Sequence, residues 1–398
     1  MPAIKKLRKP RLQIVDAIRG FALFGILMIH SIEHFELYKW PEASGAFLAW
    51  TDDAIFKAVF FIFAGKAYSM FSIMFGFSFY IQMNNQAERG VDFRLRFVWR
   101  LIVLFVFGYL LALMYMGDVL TVFAVLGLPL VLMHKWSNKM LIWLCVILLI
   151  QVPTLYHIFL SVTNPEFVFQ QDWSIFGKAV ETFAEGSFRE VLKFNSYSGH
   201  VAKWTFTYNT GRYLQMIALF IIGILLGRTR FFKDIEKKSR TVVKIFAGSI
   251  LGFLLTYPVK FILPLFKLNK TQNGLFESLA SSWSNLFFTA FLMSGFVLIY
   301  LFVKNKSKYN LLASYGRMSL TNYVLQPLLG VLIFYNYGLG MYKYFYVTYC
   351  LLYGILFFIL QLLFCKYWFK KFYYGPLEWL WRAITFFDFG IKMKRDKG

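Results

Sequence analysis

The feature that most constrains this chain recurs along its whole length: apolar runs of about twenty residues, each ended by charged or turn residues. At 1.5 Å of rise per residue, such a run wound as a helix spans the roughly 30 Å hydrocarbon core of a bilayer. One water-facing core cannot absorb so many of them. Hydrophobic residues fill 59% of the 398 positions and charged residues only 16%, against about 25% charged in an average soluble chain. A soluble globular domain is thereby excluded. The expected fold is an all-α integral membrane bundle of about ten transmembrane helices, one membrane domain over residues 1–398.

The runs fall at about 15–37, 55–83, 96–115, 118–134, 139–160, 213–229, 242–263, 285–303, 311–335 and 344–369. Pro153 sits inside the fifth, and the ninth opens on the polar residues Ser314, Arg317, Ser319, Thr321 and Asn322. Lysine and arginine collect in every second connection, as expected where translocation of basic residues is disfavoured. These are Lys5, Lys6, Arg8, Lys9 and Arg11; Arg89 to Arg100; Lys135 and Lys139; Arg228 to Arg240; Lys304 to Lys308; and the tail through Lys397. Glu33, Glu36, Glu42, Asp52, Asp53, Asp118, Glu166 and Asp172 lie in the alternate segments. Both termini are therefore expected in the cytoplasm, with the chain in a bacterial inner membrane. The basic N-terminus precedes a long apolar run without a small-residue cleavage site, which reads as a retained helix.

The positive-inside pattern also accounts for most of the net charge of +23. Its expected partner is the lipid bilayer, with no nucleic acid. Cys145, Cys350 and Cys365 all lie in apolar stretches and imply no disulfide. A long external loop over 161–212 carries Phe176, Val180, Phe183, Phe188, Val191, Leu192 and Phe194 at near-helical spacing, as interfacial helices would. Such helices would either form a lid over an entrance or cover the span ends. Residues 370–398 form an amphipathic cytoplasmic tail in which Glu378 and Arg382, four apart, are expected to pair.

Ionisable residues at membrane depth are rare, costly and turned toward a partner or cavity. In the first span, Asp16, Arg19 and His30 interrupt an apolar helix, and Glu33 and His34 follow. Eleven steps of about 100° place Arg19 and His30 on one face with about 16 Å of rise between them. Arg19 paired to Asp16 also fits a headgroup anchor. His30 to His34 matches the H-x-x-E-H zinc pattern, but no third ligand is evident and no metal is expected. Lys66 in the second span is expected to pair with Asp52 or Asp118, and Asp118 also suits the positive N-terminus of the fourth. Arg317, Asn322 and Gln326 form a polar edge that reads as an interhelical seam or a ligand site.

The stretches DAIRGFALFGIL, KAYSMFSIMFGFSF, GDVLTVFAVLGL, GRMSLTNYVLQ and GPLEWLWRAITF, in that order, resemble the YeiB family of bacterial membrane proteins over nearly the whole chain. That family is similar in turn to the membrane acyltransferases that modify surface sugars, which carry arginine, ten residues, then histidine in the first span. Arg19 and His30 have that spacing, although many YeiB relatives place asparagine where His30 stands. The resemblance implies a donor-binding role for Arg19 and a catalytic one for His30, and nothing beyond them; Asp16, Glu33, Lys66, Asp118, Arg317 and Asn322 are candidate supporting polar groups from their own place in or beside the spans. The expected function is acyl transfer from cytoplasmic acyl-CoA, a co-substrate rather than a bound cofactor, to an envelope glycan, lipid or small molecule. A transporter or flippase, and a non-catalytic scaffold, are the alternatives. Neither composition nor spacing points to an acceptor or an oligomeric state.

Overall fold

The structure is a computed structural model that describes residues 11–42, 44–164, 166–169 and 173–395. Of the charged residues that set the expected orientation, Lys5, Lys6, Arg8, Lys9, Asp172 and Lys397 lie outside the described residues. Among the described residues there is no strand beyond a single bridge between Phe372 and Lys394. The chain is an all-helical, multi-pass protein. Its helices are α1 (Gln13–Ile32), α2 (Ala46–Phe63), α3 (Ala67–Ala87), α4 (Arg94–Ala112), α5 (Leu120–Leu126), α6 (Leu128–Met133), α7 (Asn138–Ile150) and α8 (Val152–Thr163). There follow α9 (Ser174–Glu185), α10 (Phe188–Phe194), a π turn (Asn195–Gly199), α11 (His200–Asn209), α12 (Arg212–Arg228), α13 (Ser239–Thr256) and α14 (Val259–Ile262). The last are α15 (Lys270–Phe302), α16 (Asn310–Arg317), α17 (Ser319–Phe334), α18 (Val347–Lys371) and α19 (Pro376–Phe386).

Seven helical stretches are long and apolar enough to cross a membrane, or eight if Phe188–Asn209 and Arg212–Arg228, bent by 73°, count as one. Leu120–Met133 and Ser319–Phe334 are apolar but shorter. Several runs that read as continuous are therefore interrupted, and each break has a local cause. Between α2 and α3 the chain passes through Gly65 at φ +79°, where an added Cβ would lie 2.7 Å from the Asn285 side chain; only glycine fits both the angle and the space. Between α7 and α8, Gln151 is left-handed at φ 57° just before Pro153, in the first turn of α8 where the missing N–H is harmless. Between α16 and α17 the break falls at Met318.

α1 is the axis of the bundle. Its apolar window is 72% buried, against 44% or less in the other six long stretches, because it packs against α2, α3, α15, α16, α17 and α18. One of the close helix crossings is that of α3 on α12. A Cβ on Gly76 would lie 2.0 Å from the Phe220 carbonyl oxygen, and one on Gly223 would lie 2.1 Å from that of Ile73. Small residues that let backbones touch are the usual basis of such contacts in lipid. The two ends of the bundle are named below for Arg19 and His30. At the Arg19 end, Gln13 donates to the Lys306 carbonyl at 3.0 Å and Arg228 to that of His134 at 2.8 Å. At the His30 end, α9 docks through the Tyr342 hydroxyl, which donates to the Ala184 carbonyl at 2.9 Å.

The break before α17 is closed by α19. The Glu378 carboxylate accepts from the backbone N–H of Leu320 at 2.7 Å and of Thr321 at 3.0 Å, and from the Thr321 hydroxyl at 2.7 Å. It thus caps a helix whose first-turn donors have no partner of their own. The expected Glu378–Arg382 ion pair is absent. Arg382 lies instead over the rings of Tyr374 and Phe386 at 5.6 and 5.2 Å, since three donors of α17 outcompete one exposed guanidinium for the carboxylate. Each buried donor left without a partner costs about 1–3 kcal/mol. Glu378→Ala should therefore lower both the yield of folded protein and its melting temperature in detergent, while Arg382→Ala should change them little. Equal losses in the two variants would contradict the capping assignment.

Candidate functional site

The first span ends earlier than its apolar pattern reads. α1 stops at Ile32, and His34, Phe35 and Glu36 follow with φ of 51°, 56° and 73°. Left-handed backbone costs an L residue about 1–2 kcal/mol, so three in succession need support. The Phe35 N–H donates to the His30 carbonyl at 2.7 Å, the Tyr335 hydroxyl to that of Phe35 at 2.7 Å, and the Trp40 indole to that of Ile32 at 3.0 Å. His34 Nδ1 donates to the Lys39 carbonyl at 2.8 Å, which leaves Nε2 to accept from the Cys350 thiol at 2.8 Å. His34 is thus a buried structural residue. His30 and His34 face different partners, and the helical spacing that the zinc pattern needs ends before it is complete.

This turn surrounds His30 with aromatic residues. The half-buried imidazole has its ring centre 5.2 Å from that of Tyr115, 6.0 Å from Phe35 and 6.4 Å from Tyr323. His30 Nδ1 and the Tyr115 hydroxyl are both buried, and neither has a hydrogen-bond partner among the described residues. Buried polar atoms without partners are rare and need an explanation. The Tyr323 hydroxyl accepts from the Val119 N–H at 3.0 Å and keeps its own proton available. A Cβ on Gly117 would meet the Tyr115 hydroxyl at 2.4 Å and Glu36 Oε1 at 2.5 Å, so a carboxylate borders the same space. A neutral imidazole with Nδ1 unprotonated can accept a proton there, and a phenol can donate a hydrogen bond.

One wall is held by a buried ion pair. Lys203 of α11 lies 3.4 Å from Asp118 and donates to the Thr121 hydroxyl at 3.0 Å. Asp118 also accepts from the N–H groups of Leu120 at 2.9 Å and Thr121 at 3.0 Å, at the start of α5. The segment between α8 and α12 therefore packs into the His30 end and contributes a charge to its interior.

The other residues singled out by sequence lie apart from His30. Arg19 donates to Asp16 at 3.0 Å and to the Ser78 hydroxyl on α3. It shares a helix with His30 but no contact. Glu33 is buried beside Tyr38. Lys66 meets no carboxylate, contrary to the expected pairing: Asp52 accepts from the Thr348 N–H at 2.8 Å and hydroxyl at 2.6 Å, Asp118 is taken by Lys203, and Lys66 lies over the rings of Phe61 and Phe288. Arg317 stacks over Phe369 at 4.0 Å. Asn322 donates to the Tyr315 carbonyl at 3.1 Å, and Gln326 to the Tyr315 hydroxyl at 2.8 Å. Gln361 of α18 donates to the Asn322 carbonyl at 3.1 Å, so this edge forms a hydrogen-bonded seam between helices. Tyr115, Tyr323 and Lys203 escaped the sequence reading, and Glu36 entered it only as a loop charge, because no periodicity links positions 30, 115 and 323. The polar breaks beside Tyr115 and Lys203 were the only signal.

An interrupted helical bundle with buried charged and aromatic groups at one end defines a multi-pass membrane protein with an internal polar site. A family profile described as "Protein of unknown function (DUF418)" matches residues 226–388. The chain is 27% identical to "Uncharacterized protein YxaH" of Bacillus subtilis (strain 168), with 98% of each chain covered. It is 26% identical to "Uncharacterized 39.9 kDa protein in amylase 3'region" of Bacillus acidopullulyticus, with 97% of each covered. Over 74 residues, 19% of each chain, it is 40% identical to "Uncharacterized protein YeiB" of Escherichia coli (strain K12). No solved structure matches. The chain is thus similar to YeiB-like proteins, over its whole length to YxaH and over a short stretch to YeiB.

The Lys203–Asp118 pair makes a testable demand on stability. Removing one partner leaves the other charge buried and uncompensated, a loss of about 3–5 kcal/mol. Lys203→Ala should therefore lower the melting temperature sharply, and Lys203→Ala combined with Asp118→Asn should recover part of the loss. A single variant as stable as wild type would show that the pair is not buried in the folded protein.

Proposed function

We propose that the protein is an integral membrane acyltransferase that moves an acyl group from cytoplasmic acyl-CoA to a hydroxyl or amine of an envelope glycan, lipid or small-molecule acceptor. The observation that carries this reading is the unpartnered buried Nδ1 of His30 beside the equally unpartnered hydroxyl of Tyr115. His30 takes the proton of the acceptor hydroxyl as its oxygen attacks the thioester carbonyl. The new carbon–oxygen bond forms, the carbon–sulfur bond breaks, and the proton leaves with the CoA thiolate. The Tyr115 hydroxyl donates to the oxyanion that develops between these steps. Arg19, two of whose donors are held by Asp16 and Ser78, keeps further N–H groups for a CoA phosphate. The extended arm of CoA bridges the rise of about 16 Å between Arg19 and His30.

This reading takes the Arg19 end as cytoplasmic and the chain as an inner-membrane protein with ten crossings and both termini inside. The seven long stretches, the bent pair and the two shorter apolar helices together make ten. A transporter is favoured by one observation of its own: the helix break at Gly65, with Lys66 beside it, resembles the discontinuous helices that line transport sites.

His30→Ala should preserve acyl-CoA binding while reducing transfer roughly 100-fold or more, the scale of general-base loss; Arg19→Ala should instead weaken donor binding. His30→Asn is the discriminating variant, since it keeps a hydrogen-bonding side chain without the base. Acyl-CoA turnover at the wild-type rate in that variant would sink the mechanism, and solute flux in proteoliposomes without CoA release would favour transport. In a cysteine-free background, single cysteines at Lys135 and Lys306 should be shielded from an impermeant thiol reagent in intact cells, while those at Glu42 and Asn164 react. Labelling at Lys306 from outside would overturn the ten-crossing arrangement.

A further inference from the structure

A second polar site lies between α3, α12 and α15, toward the His30 end. It is a cavity of about 320 Å³, within the size range of small-molecule sites. One wall is a stripe on α15: Gly274, Ser278, Ser281 and Asn285, at steps of four, three and four, all face the cavity. A polar stripe on a helix otherwise fit for lipid is costly without a polar occupant. No side-chain hydrogen bond joins Ser278, Ser281 or Asn285 to another described residue, so their polar atoms remain available.

The opposite wall presents Arg212. Its guanidinium carbon lies over two rings, 4.7 Å from the centre of Tyr68 and 4.4 Å from that of Phe206. Among the described residues none accepts a hydrogen bond from it, and its charge acts on the buried carboxyl groups of Glu33 and Glu36. The Tyr68 ring is itself fixed, since its hydroxyl donates to Gln215 at 2.8 Å and Gln215 donates to the Ser282 carbonyl at 2.9 Å. A guanidinium positioned by two rings, with N–H donors that no described residue accepts from, matches the fork geometry of a carboxylate or phosphate. Glu277, the one acidic residue lining the cavity, is exposed.

We infer that this cavity binds a small, hydroxyl-rich oxyanion, a sugar acid or sugar phosphate, with the carboxylate or phosphate on Arg212 and the hydroxyls on the α15 stripe. The inference does not depend on acyl transfer and stands or falls by binding alone. The test is calorimetric titration of the purified full-length protein in detergent with glucuronate, glucose 6-phosphate and glucose. Saturable binding of either anion at about millimolar concentration or below, with glucose at least about tenfold weaker, is expected, and the anion that binds shows which group is recognised. Arg212→Gln should weaken that binding about tenfold or more, the usual worth of a charge-assisted hydrogen bond. Should Arg212→Gln fail to fold, Ser278→Phe, which fills the cavity and leaves Arg212 in place, should abolish binding with an unchanged melting temperature. Absence of binding by both anions, equal binding of glucose, or wild-type affinity in either folded variant would overturn the site.

Discussion

Because α1 is enclosed by protein on all sides, each polar group along it must find its partner inside the bundle and not in headgroups or water. Low-dielectric surroundings make an unpartnered polar group expensive, and most of α1 obeys that requirement. Arg19 donates to Asp16 and to Ser78, and Ser31 donates to the Leu27 carbonyl at 2.8 Å. His30 departs from it: its Nδ1 is buried beside a tyrosine hydroxyl in the same condition. The contrast along one helix sets His30, whose Nδ1 has no partner among the described residues, apart from polar groups that are bonded within α1 or to α3.

The enclosure also explains why the helices around α1 are broken. A continuous rod could not bring Tyr115, Tyr323 and the turn after Ile32 to the same point, and a broken one strands backbone donors and acceptors at membrane depth. Such breaks persist only where neighbours satisfy the freed groups. Glu378 does so for α17 from the far end of the chain, and the Tyr323 hydroxyl does so for Val119 ahead of α5. Gln151, at the break between α7 and α8, is anchored to Ser282 of α15. The interruptions and their polar partners are therefore one feature.

Residue chemistry and local spacing carried part of this. Asp118 at the head of an apolar run reads as a helix-terminal carboxylate, and its bonds to Leu120 and Thr121 are of that kind. Asn322 and Gln326 read as a seam or a ligand site, and Gln361 supplies the other side of a seam. Spacing misled where a distant competitor was stronger. Glu378 and Arg382 are four apart on one helix, yet the carboxylate is drawn to the bare N-terminus of α17. Lys66 has carboxylates within plausible reach in the sequence, yet Thr348 and Lys203 had already claimed them.

The sequence by itself determined the class of fold, the approximate place of each apolar run and the presence of ionisable groups in the first of them. Those properties follow from hydropathy and period, which are local. Only the tertiary structure decided where the runs break, that the chain turns left-handed after Ile32, and which residues meet His30 and Arg212. Those outcomes depend on contacts between residues tens to hundreds of positions apart, such as Tyr335 with Phe35 or Phe206 with Arg212. No periodicity along the chain encodes such distances.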